Sequence, residues 1–165
     1  MRHSGVMQRL VGFGVCAALL FCCGTVAAQD EGPVTTVLTA FKVVPRPDGK
    51  EQWVEATEAK PDEVIEYRLV VTNRGDQPVS ALRPLLPIPE GLVYQAGSAV
   101  PDKVQASVDG RTFQDVPLMR RVTNRDGTVR TERVPEAEYR QLRWDMDRLQ
   151  GGTSVVLKAR ALVSR

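Results

Sequence analysis

The sequence predicts an all-β fold, an immunoglobulin-like two-sheet β-sandwich. Three observations carry this. Beyond residue 28, apolar residues fall in short runs that alternate with polar ones, the pattern of half-buried strands. Clusters of Pro, Gly, Asn and Asp separate these runs roughly every ten residues. No long stretch keeps the period of an amphipathic helix.

The segment before this pattern is of another kind. "MRHSGVMQR" carries Arg2 and Arg9 and no acid, "LVGFGVCAALLFCC" is apolar, and "GTVAA" ends in small residues. That order is a secretory signal peptide, expected over residues 1–28, with Val26 and Ala28 before the cut and Gln29 as the new N-terminus. The apolar run is shorter than the roughly 20 residues of a spanning helix. Residues 29–165 are then expected to form one domain, exported to the periplasm, the cell envelope or the medium, with no integral membrane span.

Cleavage would remove all three cysteines (Cys16, Cys22, Cys23) and the single histidine, His3. It would also remove two of the 22 basic residues, leaving 20 against 20 acids. A neutral chain gives no reason to expect nucleic acid as a partner. Without thiols no disulfide can staple the domain, so an ordinary hydrophobic core must hold it.

The strands follow in order. "VTTVLTAFKVV" (Val34–Val44) is rich in β-branched residues, "PRPDGK" is a turn, and "EQWVEAT" returns as a second strand. "DEVIEYRLVVTN" has the clearest period of two: Ile65, Tyr67, Leu69 and Val71 face one way, Glu66, Arg68 and Thr72 the other. Arg74-Gly75-Asp76, the tripeptide that integrins read, follows as a turn, with Gly75 expected to supply a positive φ. "LRPLLPIPEGL" holds Pro84, Pro87 and Pro89, which suits an edge strand or extended connection. "RVTNRDGTVRTERV" predicts a hairpin turning at Asp126-Gly127, and "VPEAEY" a short helical turn. "YRQLRWDM" places Leu142, Trp144 and Met146 on one face. "TSVVLKARALV" alternates Val155, Leu157, Ala159, Ala161 and Val163 against Lys158 and Arg160. Tyr67, Leu69, Val71, Leu142, Trp144, Leu157 and Ala159 are the expected core.

Several of these segments together resemble the DUF11 family, a bacterial surface and secreted domain of unknown function. The resemblance rests on Pro61-Asp62-Glu63, Thr72-Asn73-Arg74-Gly75, Ile88-Pro89-Glu90-Gly91-Leu92, Tyr94 before Gly97-Ser98, and "EYRQLRWDMDRLQGGTSVVLKARALV". It spans roughly Val34 to Val163. Asp62 departs from the family's usual Pro-Gly turn, and "RPLLPI" replaces its commoner acidic approach. The resemblance implies an immunoglobulin-like sandwich at the cell surface or envelope, and no reaction.

Candidate chemistry is sparse. Without His or Cys after Gln29, neither a Ser-His-Asp or Cys-His nucleophile nor a His/Cys zinc site can be built. Asp145-x-Asp147 has oxygen ligands for calcium, but Arg143 and Arg148 beside it favour salt-bridged surface acids. Arg120, Arg121, Arg125, Arg130, Arg133, Arg140, Arg143 and Arg148 form a dense basic run that Asp126, Glu132, Glu136, Glu138, Asp145 and Asp147 interrupt. That pattern reads as a mixed-sign solvated face, with an acidic envelope polymer as the functional alternative. Trp53 and Trp144 could each stack on a sugar, and Trp144 is the one expected in the core. The expectation is a non-enzymatic structural or adhesive module with no catalytic residues, cofactor or metal, binding another envelope protein or polymer. A carbohydrate-binding module is the alternative.

Overall fold

The computed structural model describes residues 32–165, so the expected signal peptide lies outside the described residues. These residues form an all-β sandwich of antiparallel sheets. The larger layer is a five-stranded sheet in the order β2-β1-β3-β13-β6. Its strands are β1 (Val34–Pro45), β2 (Glu51–Glu55), β3 (Val64–Asn73), β6 (Leu92–Tyr94) and β13 (Ser154–Val163). The second layer contains a four-stranded sheet, β5-β11-β7-β8, from Leu85–Pro87, Gln141–Arg143, Gln105–Ser107 and Gln114–Asp115. Two small ribbons complete the fold: β4 (Val79–Leu82) with β12 (Met146–Leu149), and β9 (Met119–Thr123) with β10 (Val129–Arg133).

The expected turns explain the connectivity. Gly49, at φ 77°, closes the β1–β2 hairpin, and Gly127, at φ 84°, closes β9–β10. A 3₁₀ turn covers Glu136–Glu138. The proline-rich segment supplies β5, an edge strand of the four-stranded sheet. Asp62, where the resemblance leads one to expect Gly, sits at φ 69°, a left-handed conformation that an Asp side chain tolerates better than a β-branched one.

The core lies between the layers. Ile65, Leu69 and Val71 of β3 and Leu157, Ala159 and Ala161 of β13 meet Leu86, Ala106, Leu142 and Trp144. Six of the seven expected core residues are buried. Tyr67 is only half-buried and packs at the margin of the cluster. The "QLRWDM" stretch is not one continuous strand. It pairs with β5 and β7 up to Arg143, breaks at Trp144-Asp145, and resumes in β12 against β4. Trp144 sits at this crossing, 2 % exposed, with its indole N–H donating to the Pro101 carbonyl at 3.0 Å.

Three buried polar side chains hold turns in place. Asn73, fully buried, donates to the carbonyls of Gln77 (2.8 Å) and Leu149 (3.2 Å) and accepts from the Gly75 N–H (3.1 Å). Tyr139, also fully buried, accepts the Leu118 N–H at 2.9 Å and stacks on Tyr94, ring centroids 6.0 Å apart. Ser107 accepts the Gly110 N–H at 2.9 Å and donates to Asp109 at 2.9 Å.

Asp109 also accepts the N–H groups of Arg111 and Thr112, each at 2.8 Å. Those amides, with the Ser107 hydroxyl, pull its pKa down to about 2. A depressed carboxylate contributes stability above its unfolded pKa and loses it as pH falls through the folded value. The Asp109 contribution is therefore expected to be complete above about pH 5 and to fade between about pH 4 and 2. Thermal melts of Asp109→Asn across this window should show a shallower acid decline than the parent protein. Superimposable declines would show that this loop does not report on folding.

Candidate functional site

Strand register assembles a charged and aromatic surface on the outer face of the five-stranded sheet. Side chains of β3 at even positions point away from the core. Pairing of Phe41 with Glu66, of Glu66 with Arg160 and of Arg68 with Lys158 puts all of these on one face, with Glu51 and Trp53 of β2 in the same parity. Arg68 lies over the Phe41 ring, 4.6 Å from its centroid, and 5.2 Å from that of Trp53.

Glu66 is the centre of this surface, 4 % exposed although it is on the outer face. Arg68 donates to one carboxylate oxygen at 2.8 Å and Arg160 to the other at 3.0 Å. Arg160 also forks onto Glu51 at 2.8 and 2.6 Å. Burial pushes the Glu66 pKa up, but hydrogen bonds from Arg68, Trp53 and Arg160 more than offset it and hold the pKa below the usual value. The Arg160 hydrogen bond likewise holds Glu51 low. Both carboxylates are thus kept as clamped anions, a state that suits recognition and not proton donation.

The loop after β6 forms the opposite wall. Gly97, at φ 77°, allows the tight turn. The Ser98 hydroxyl donates to the Gln95 carbonyl at 2.6 Å and accepts the Arg160 N–H at 2.9 Å, fixing the loop on β13. Trp53, Glu66, Gln95, Ser98, Lys158 and Arg160 converge on an open cleft of about 770 Å³. Trp53 remains 43 % exposed, so part of its indole is available to a ligand.

The residues singled out in the sequence fall in separate places. Trp144 is core and Trp53 lines the cleft. Asp145 pairs with Arg83 (3.4 Å) and Arg143 (3.8 Å) at the strand break, and Asp147 lines the same shallow depression. In the arginine-rich hairpin, Arg120 bonds Glu132 (2.8 Å) and Glu138 (2.7 Å), Arg130 bonds Glu132 (3.1 Å), and Arg133 pairs with Glu136. Arg143 is half-buried, stacks on Phe113 at 4.2 Å and donates to Gln105. Half of the eight arginines of the basic run, Arg120, Arg130, Arg133 and Arg143, are therefore paired with carboxylates. In the sequence, Glu66, Arg68, Lys158 and Arg160 are only the polar side of two alternating strands. Their E-x-R and K-x-R spacing puts each pair on one side of its strand, but only the register between strands joins them to Trp53.

Arg74-Gly75-Asp76 occupies the β3–β4 turn as expected, with Arg74 and Asp76 exposed. The reason expected for its glycine is wrong. Gly75 is not among the positive-φ glycines; a Cβ there would instead sit 3.0 Å from that of Pro33. Close approach, not backbone handedness, is what the turn requires.

No family model matches the chain, and comparison with curated proteins and with solved structures gives no match. Among the described residues there is no group of three or more His, Cys, Asp or Glu placed to hold a metal ion. No described helix is long and apolar enough to cross a membrane.

Proposed function

We propose that the protein is an exported, non-enzymatic β-sandwich module of the bacterial envelope that binds another envelope component through the outer face of its five-stranded sheet. The leader-like N-terminus and the DUF11 resemblance support the location and the family. The observation that carries the binding surface is the cleft. A half-exposed indole stands beside carboxylates and guanidiniums already locked by one another, so a ligand meets preorganised groups.

A sugar is the ligand chemistry that Trp53 favours. An indole face offers apolar contact to a pyranose, while Gln95 and Lys158 offer hydrogen bonds at the rim. Truncating a central Trp of a binding surface typically costs about 2 kcal/mol, roughly thirtyfold in Kd. Trp53→Ala is expected to lose that much affinity for protein-free peptidoglycan sacculi, while Arg125→Ala at the hairpin tip keeps it. Retention on intact envelope but not on sacculi would assign the cleft to an envelope protein. Equal retention of Trp53→Ala and the parent on both would place the binding surface elsewhere and overturn the proposal.

A further inference from the structure

The first half of β1 is an open sheet edge. β3 covers one side of β1 from Val34 to Val43, but β2 covers the other side only from Phe41 to Pro45. The Ala56 N–H then bonds the Ala40 carbonyl, which ends the coverage. Among the described residues nothing pairs with the free side of Val34–Thr39. Because Ala40 points its carbonyl to that side, alternation directs the N–H and C=O groups of Val34, Thr36 and Leu38 there too.

Other sheet edges among the described residues are short or guarded. β5 holds Pro87 and is flanked by Pro84 and Pro89; β6 has three residues and β8 two. Glu51 and Glu55 bracket β2, and β9, β10 and β12 carry Arg, Glu or Asp. β4 is four residues long and interrupted by Ala81 at φ 55°. The free half of β1, "VTTVLT", has no charge, proline or glycine. Two of its apolar side chains are left uncovered, one on each face of the sheet: Val37 is 57 % exposed on the outer face and Leu38 43 % on the other. Such an edge is a template for another strand.

We propose that this edge pairs with the same edge of a second copy of the chain, making one continuous sheet across a twofold axis. An antiparallel pair centred on Thr36 sets Thr36 against Thr36 of the second copy and Val34 against Leu38 of the second copy. All of these carry edge-facing backbone groups, which gives about six inter-strand hydrogen bonds. Thr35 then meets Val37 of the second copy on the outer face. No charged side chain of the paired segment meets its like, so the edge is electrostatically compatible with itself, and the twofold closes without leaving a free β1 edge for further addition. The pairing stops before Ala40, where Ala56 blocks it.

Sedimentation equilibrium over about two decades around micromolar concentration tests this. The parent protein is expected to double its mass with concentration, and the amides of Val34, Thr36 and Leu38 to exchange more slowly in concentrated samples. Thr36→Pro removes an N–H that faces the free edge and so breaks no bond to β3; it is expected to stay monomeric with an unchanged melt in dilute solution. Leu38→Lys, which alters an exposed side chain and no backbone group, should do the same. A parent protein that is monomeric throughout would overturn the proposal, including one whose β1 amides are protected at every dilution by its own residues 1–31. A dimer that survives both substitutions would also overturn it.

Discussion

Trp144→Ala is expected to lower the unfolding free energy by about 3–5 kcal/mol, a large fraction of what a domain of this size possesses. Three losses combine. The indole is 2 % exposed, so its removal leaves a cavity that the surrounding strands can only partly close. The Pro101 carbonyl loses the donor that reaches it at 3.0 Å. Trp144 also stands where the chain leaves the four-stranded sheet for the β4–β12 ribbon, so the damage falls on the connection between them. Arg143→Ala is the comparison. The Arg143 side chain is half-buried on Phe113 and bonded to Gln105, so about 1 kcal/mol is expected, more than a freely solvated arginine would lose. Denaturant unfolding separates the two. Equal losses would mean that Trp144 fills no cavity of consequence.

The legible parts of the fold are those where one strand has two different faces. β3 and β13 alternate apolar and polar residues because only one side meets the core, and the paired layer repeats the pattern. Hairpins at Asp48-Gly49 and Asp126-Gly127 were legible because a turn with positive φ leaves a residue signature. The break at Trp144-Asp145 leaves none: Leu142, Trp144 and Met146 keep a period of two across it, since both the strand and the crossing bury the same side. The cleft was illegible for a different reason. Glu66 and Arg160 lie far apart in the chain and meet only through register, which also brings Phe41 beside Glu66. In the sequence Asn73 stands only at the end of the β3 run and in the Thr72-Asn73-Arg74-Gly75 motif. Its full burial follows from three backbone partners, two of them within the turn and one, Leu149, from a distant strand.

That distant strand leads to the second large effect. Gly151→Ala is expected to cost about 3 kcal/mol, at the upper end of overpacking losses, although it adds one methyl group to a surface turn. Gly151 belongs to the β12–β13 connection, and Arg74-Gly75-Asp76 to the β3–β4 connection. Since β3 pairs with β13 and β4 with β12, the two turns must lie side by side. They do so backbone to backbone: the Gly152 N–H donates to the Gly75 carbonyl at 3.0 Å, and the Asn73 N–H to the Thr153 carbonyl at 2.9 Å. A Cβ on Gly151 would lie 2.7 Å from the Gly75 carbonyl oxygen and closer still to the Asp76 carbonyl group. Neither can retreat easily, because Asn73 holds the turn on its other side through the Gly75 N–H and the Gln77 carbonyl. Asp76→Glu alters only an exposed side chain in the same tripeptide and is expected to leave stability unchanged. Denaturant midpoints of the two variants decide the role of this turn. A Gly151→Ala protein as stable as its parent would show that the turns can part, and that the tripeptide is free to be presented as a mobile loop. The expected loss would make Arg74-Gly75-Asp76 a packed structural turn, pressed backbone to backbone against Gly151.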